Sequence, residues 1–248
     1  MKGVIATLAP RARVIDITHG VPPQNIIAGG LRWMAAAPFF PRGTIHVAVV
    51  DPGVGGEREI LAARAGQAFF LAPDNGLMGF VDDRFGIEEA VRVREVRFFL
   101  PQVSRTFHGR DILAPIAARL AQGLSLRRLG PLSRNFVPSP VPPVRKTSAR
   151  GRFRLEGAVV DVDNFGNCIT NISRGEKQAE LSDIRVGRWR FQAPQESYSM
   201  VPRGKPLAIV GSTGYLEIAV NCGRADRMLG LRRGQRVAAF LQPERSAR

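Results

Sequence analysis

TIHVAVV, residues Thr44–Val50, runs without interruption into DPGVGGER, residues Asp51–Arg58. The first stretch is a near-continuous apolar run, the pattern of a strand buried on both faces of a parallel sheet. The second cannot extend that strand. Asp-Pro-Gly is a turn, and the glycines at 53, 55 and 56 permit backbone angles that other residues avoid. Read alone, this is a connecting turn. A loop leaving the carboxyl end of such a strand is also where α/β proteins bind ligands. It is not a phosphate loop, because no Lys-Ser/Thr pair follows the glycines. Asp51 and Arg58 can meet across a folded-back glycine loop, where the arginine would hold the carboxylate ionised.

Working outward, Ala12–Thr18 (ARVIDIT) reads as a strand, and Pro23–Met34 as a helix after a Pro-Pro start. Ile60–Arg64 and Ala68–Ala72 read as a strand pair around Gly66. Asp111–Gln122 reads as a helix with Asp111 as N-cap and Gly123 as its stop. This alternation predicts an N-terminal, mainly parallel α/β domain over residues 1–130. Residues 131–150 are expected to be a Pro-rich linker, since Pro131, Pro138, Pro140, Pro142 and Pro143 crowd it. Short β-rich runs follow: Arg154–Val162, Cys168–Ile172, Arg188–Phe191, Lys205–Val210, Tyr215–Val220 and Arg236–Leu241. They predict a small C-terminal β-barrel or sandwich over 151–248. The fold class is therefore α/β, with a separate β domain.

Composition excludes several classes. The 248 residues are 44% hydrophobic, enough for a substantial core, and no apolar run approaches the length of a membrane helix. The start lacks the h-region and cleavage site of a signal peptide. Two cysteines, Cys168 and Cys222, sit in apolar runs and read as buried thiols of a reducing cytoplasm. His19, His46 and His108 are scattered, with no metal-ligand spacing, so no metal is expected. The net charge of +15 invites a nucleic-acid reading. However, only four of the 36 basic residues are lysines, and the arginines are dispersed without a dense block. A nucleic acid is not the expected ligand, nor is a membrane.

Four further stretches could carry chemistry. In Thr106–Asp111 (TFHGRD), His108 precedes a helix N-terminus, whose positive end would keep the imidazole neutral. A neutral imidazole can accept a proton or orient a water; a capped surface turn is the plain alternative. Gly109 would let a ligand approach the backbone. Asp74-Asn75-Gly76 reads first as a turn, and second as a polar rim that could hydrogen-bond a substrate. Asp161–Asn171 (DVDNFGNCITN) is an elaborate hairpin turn or a site in which Asp163 meets an ammonium and Phe165 stacks on a base. Gly211–Asn221 (GSTGYLEIAVN) is a strand flanked by the polar candidates Ser212 and Asn221, with Glu217 within it.

Taken together and in this order, IDITHGVPPQNI, FFPRGTIHVAVVDPGVG, LAPDNGL, TFHGRD, VDNFGNCITNI and GSTGYLEIAVN resemble the S-adenosylmethionine hydroxide adenosyltransferases. That family is grouped with the fluorinating and chlorinating enzymes. The resemblance spans nearly the whole chain. It implies a two-domain subunit in a homotrimer, with S-adenosylmethionine between the N-domain of one subunit and the C-domain of the next. It implies hydrolysis of this substrate to adenosine and methionine by an activated water or hydroxide attacking C5′ of the ribose, without a cofactor. It places the water-activating trio on Asp51, Arg58 and His108, with Phe107 and Gly109 at the reaction centre. Methionine contacts fall near Asp163 and Ser212, and adenine contacts near Asn167, Tyr198, Asn221 and Cys222. Asp74, Asn75, Phe165 and Glu217 complete the candidate substrate contacts. The halogenating branch would carry serine at Gly109, and tyrosine and threonine at Asp51 and Val54; this chain follows the hydroxide branch at all three.

One departure is expected to matter. The family's first strand carries a Thr-Asp-Phe-Gly-like motif whose aspartate grips the ribose diol, ahead of the Lys-Gly-Val-Ile stretch. That motif has no counterpart in this sequence. Either the start codon is assigned too far downstream, or a sheet strand and a ribose anchor are lacking; in the second case the loss would expose sheet edges and remove hydrogen bonds of roughly 1.5–3 kcal/mol to the ribose, giving a weak or insoluble protein. The rival functions are a halogenase, a binding relative that does not turn substrate over, and a basic nucleic-acid module.

Overall fold

The structure is a computed structural model that describes residues 1–149, 152–173 and 181–241. It divides into two compact units, Met1–Pro140 and Val141–Arg248. No helix among the described residues is long and apolar enough to cross a membrane.

The first unit is a three-layer α/β arrangement. Its helices are α1 (Lys2–Leu8), α2 (Ile26–Ala36), α3 (Leu77–Phe85) and α4 (Ala114–Ala121). Its strands are β1 (Ile45–Val47), β2 (Ile60–Ala65), β3 (Ala68–Pro73) and β4 (Ile87–Arg92), in the order β1-β3-β2-β4. One sheet face packs Ile60, Ala62, Leu71 and Val91 against Leu113 and Ile116. The other packs Leu61, Ala63, Phe70 and Ala72 against Trp33, Leu77 and Met78. Burial on both faces explains why these strands show almost no polar alternation.

The parallel character is narrower than the sequence suggested. Only β1 and β3 run parallel; β2 pairs antiparallel with both β3 and β4. Gly66 and Gln67 both adopt positive φ, +50° and +72°, the geometry of a tight hairpin, so β2 must return antiparallel as β3. The strand expected at Ala12–Thr18 does not form. Val14, Ile15 and Ile17 there are exposed, and no described strand pairs with them in a ladder. Helix α2 begins later than expected, because Asn25 rather than the prolines caps it, accepting from the Ala28 amide at 3.1 Å.

The Pro-rich stretch is not free chain. Val137 donates its amide to Asp74 at 2.8 Å. The Pro138–Ser139 backbone passes so close to Gly79 that a Cβ there would lie 2.0 Å from the Ser139 nitrogen. Further on, residues Arg145–Ala149 form β5.

The second unit is an antiparallel, barrel-like sheet. It comprises β5, β6 (Arg152–Val162), β7 (Cys168–Ser173), β8 (Leu181–Val186), β9 (Trp189–Phe191), β10 (Pro206–Val210), β11 (Tyr215–Val220) and β12 (Arg236–Leu241), with a short α5 at Ala225–Met228. The order is β10-β11-β7-β6-β12-β8-β9, with β5 also on β6. Strand β6 spans both halves of the sheet: its first part pairs β12 and β5, its last part β7, with an irregularity between Val159 and Asp161. Val159, Cys168, Ile172, Ile184, Leu216, Ile218 and Val237 fill the interior.

His46 on β1 is buried in an aromatic cluster. Its ring stacks on Phe70 at 5.0 Å and meets Phe40 edge-on at 5.2 Å. Among the described residues its Nε2 has no hydrogen-bond partner. Burial pushes its pKa down to about 4 from 6.5. Between these values the unfolded chain binds a proton that the folded chain refuses, so stability falls as pH drops through the window. The loss is about 2 kcal/mol by roughly pH 5. His46→Phe keeps the ring and removes the titration. Urea unfolding at about pH 7 and pH 5 should show the wild type losing more stability on acidification than His46→Phe. Equal losses would assign the acid sensitivity elsewhere.

Candidate active site

The loop after β1 folds back through two successive turns, Val54 N–H to Asp51 C=O at 3.3 Å and Gly56 N–H to Gly53 C=O at 3.0 Å. This brings Arg58 onto Asp51. Arg58 Nε donates to both carboxylate oxygens, at 2.9 and 3.1 Å, and its Nη2 makes a further short contact with Oδ2. Both side chains are nearly sequestered, 11% and 5% exposed for Arg58 and Asp51. The same Nη2 lies 2.9 Å from Nδ1 of His108. Three side chains from two separate loops therefore converge on one guanidinium.

That contact defines the imidazole. A guanidinium only donates, so Nδ1 of His108 must be the acceptor and Nε2 carries the ring proton. Burial first, and the Arg58 charge second, lower the pKa of His108. These surroundings favour the neutral ring expected from the sequence. Asp111 is not the N-cap. His108 precedes a π-turn at Gly109–Leu113 that leads into α4. The Asp111 carboxylate is instead fully buried, accepting from the Ser104 amide at 2.8 Å and pairing with Arg110. Arg110 in turn lies over the Phe107 ring at 4.9 Å. The sequence reading missed this anchoring role, although its signal, an acid beside an arginine, was visible.

Two glycines set the spacing of these loops. Gly55 has φ +79°, and a Cβ on it would lie 2.2 Å from the Arg105 carbonyl oxygen. A Cβ on the buried Gly109 would meet Met1 Sδ at 3.3 Å and Val49 Cγ1 at 3.4 Å. Phe107 is half exposed. Asn75 donates to the carbonyl of Val50, the residue before Asp51, at 2.8 Å. Asp74 accepts from Val137. Asn75 therefore supports the loop that carries Asp51, and Asp74 ties down the Pro-rich stretch, while Oδ1 of Asn75 has no hydrogen-bond partner among the described residues. Asp51 also lines a cavity of about 490 Å³ together with Thr18, His19, Arg32, Trp33 and Val50.

The other candidates belong to the second unit. Asp163 accepts from the Asn167 backbone at 2.8 Å and from its side chain at 3.0 Å. Asn167 Nδ2 also reaches the Tyr198 hydroxyl at 3.2 Å. Phe165 is largely exposed and Ser212 is exposed. Asn221 is turned inward, donating to the Val201 carbonyl at 2.7 Å. Of the two cysteines expected to be buried, only Cys168 is. Cys222 is exposed because it lies past the end of β11 in a turn, with φ +55°. No group of three or more His, Cys, Asp or Glu side chains among the described residues is arranged to hold a metal ion.

A family model described as the SAM hydroxide adenosyltransferase N-terminal domain matches residues 1–130, and its C-terminal counterpart matches residues 157–238. The chain is 40% identical to an (R)-S-adenosyl-L-methionine hydrolase of Salinispora tropica, over 95% of this chain and 89% of that protein. It is 27% identical to a fluorinase of an Actinoplanes species, over 89% and 85% of the two chains. A crystal structure of an uncharacterised conserved protein from Thermotoga maritima superposes with a TM-score of 0.84 at 34% identity, covering 96% of this chain and 92% of that one.

Proposed function

Because the chain belongs to the SAM hydroxide adenosyltransferase family, we propose that it is an enzyme that hydrolyses S-adenosyl-L-methionine to adenosine and L-methionine. Its hydrolase relative is more similar to it than the fluorinase. The observation that carries the reading is the guanidinium of Arg58 bridging Asp51 and His108.

The sulfonium makes C5′ of the ribose electrophilic, and methionine leaves as a neutral thioether, so sulfur needs no acid. The scarce element is an aligned nucleophile. With Nδ1 of His108 engaged by Arg58, its Nε2–H is a donor that can fix a water oxygen. Of the three groups, only Asp51 retains lone pairs for a water proton. As the O–C5′ bond forms, the C5′–S pair passes to sulfur and the proton leaves toward Asp51. Alignment and exclusion of bulk water supply the rest of the acceleration. The family resemblance further supports a homotrimer acting in the cytoplasm, without a cofactor. In that reading Asp163 and Ser212 lie at the methionine part, Asn167, Tyr198, Asn221 and Cys222 at the adenine.

Incubation of the purified chain with substrate in ¹⁸O-water tests the reaction. The expected products are methionine and adenosine bearing the label at its 5′ oxygen. Halogenated adenosine formed in chloride or fluoride would replace this reading, and binding without products would reduce it to a carrier. His108→Ala and Asp51→Ala should each cut turnover about tenfold or more with adenosine affinity largely retained; near-normal turnover in both removes the trio from the chemistry.

A further inference from the structure

The segment that carries His108 is closed by one buried carboxylate. Asp111 Oδ2 accepts from the Ser104 amide at 2.8 Å and from Arg110 Nη2 at 3.0 Å, and Oδ1 accepts from Arg110 Nε at 2.6 Å. Residues 104 and 110 are thereby joined across residues 105–109, with Phe107 and His108 inside the closed segment. The Asp111 backbone holds the same region twice more. Its N–H donates to the Phe107 carbonyl at 3.1 Å, and its carbonyl accepts from the Leu100 amide at 2.9 Å. The Arg110 guanidinium, 4.9 Å from the Phe107 ring centre, reaches from the carboxylate to the aromatic face.

Stability alone does not account for a carboxylate here. Asp111 is 0% exposed, and well-packed apolar side chains often stabilise a fold as much as a buried ion pair does. What the carboxylate supplies is direction, since its three charge-assisted bonds fix both ends of one short segment. The π-turn at Gly109–Leu113 adds a residue to the first turn leading into α4, an insertion frequent at functional sites. His108 stands immediately before it, with Nδ1 on Arg58. The Asp111 charge also reaches the imidazole. With Asp51 it favours the protonated ring, against burial and Arg58.

We propose that Asp111 and Arg110 are positioning residues for the hydrolysis: by closing the Ser104–Arg110 segment they hold the His108 ring with Nδ1 on Arg58 and leave Nε2–H to fix the water. The link to hydrolysis rests on the function proposed above; the holding of the ring rests on the geometry of the segment. Both residues act through His108 and need no contact with substrate.

Arg110 is 45% exposed, so Arg110→Gln opens the closure without leaving a hole in the core. Nitrogen NMR of the imidazole at about pH 8, with His108 assigned by its loss in His108→Ala, should show a single Nε2–H tautomer in the wild type. Arg110→Gln should show both tautomers and a kcat about tenfold lower, with KM within about twofold, at a temperature well below its unfolding midpoint. Asp111→Asn keeps an acceptor for the Ser104 amide but loses the fork, and should behave alike. Arg110→Lys keeps a cation beside Asp111 without the two-point geometry. It serves if the other two do not fold, and should lose kcat in the same sense. A single Nε2–H tautomer in the folded variants, or a kcat within about twofold of wild type, overturns the proposal and leaves Asp111 a structural anchor. Mixed tautomers in variants of a chain that forms no adenosine from S-adenosylmethionine would remove the hydrolase reading and leave the holding of the ring standing.

Discussion

Arg58→Ala should lower kcat for S-adenosylmethionine hydrolysis by about 10³-fold, more than removal of either residue it holds. Arg58 is the only member of the trio that touches both others. Its loss leaves the Asp51 carboxylate, only 5% exposed, without its ion-pair partner. An unpaired buried charge destabilises a fold by about 3–5 kcal/mol, so the unfolding midpoint should fall as well. The loss also frees Nδ1 of His108, so that either ring nitrogen can carry the proton and the donor is no longer fixed at Nε2. Arg58→Lys separates charge from geometry: an ammonium is a point donor that cannot bridge a carboxylate and an imidazole in the same planar manner. It should recover much of the stability and little of the rate. Guanidinium ion added to Arg58→Ala should restore part of the activity. A kcat for Arg58→Ala within threefold of wild type would show that the bridge is structural and that water is activated elsewhere.

The sequence made some of this arrangement legible and hid the rest, for identifiable reasons. The hairpin of β2 and β3 could be read because two apolar runs flank Gly66 at a turn's spacing. Strands β6, β7 and β9–β12 could be read because each apolar run ends in turn residues. Strand β8 escaped because Asp183, at φ +44°, interrupts its alternation: Leu181, Ile184 and Val186 point inward but do not keep a period of two. Strand β5, RKTSA, has no apolar pattern at all and exists through its pairing with β6. Ala12–Thr18 fails in the opposite sense, since its composition suits a strand but a strand needs a neighbour. At the site, an acid and an arginine seven residues apart around glycines could be expected to meet, and they do. Which nitrogen of His108 faces Arg58 depends on long-range packing that no local pattern encodes.

Gly55→Ala should reduce kcat by about 10²-fold while the protein remains folded. The wild-type φ of +79° strains any L-residue, by about 1–2 kcal/mol. Strain alone would leave the chemistry intact. The added methyl, however, would lie 2.2 Å from the Arg105 carbonyl oxygen, and Arg105 is three residues before His108. The DPGVGGER loop and the TFHGRD loop must then part, and a displacement of about 1 Å at reacting groups costs about 10²-fold. Gly43→Ala is the control. Its φ of +76° imposes the same strain, but nothing lies within 4 Å of the new Cβ. Both variants should lose stability in thermal unfolding, Gly55→Ala the more because of the clash with Arg105, and only Gly55→Ala should lose rate, with the Arg58 bridge stretched. If both lose stability equally and both keep kcat, contact between the two loops is not what aligns the trio, and its convergence must be enforced by the ion pair alone.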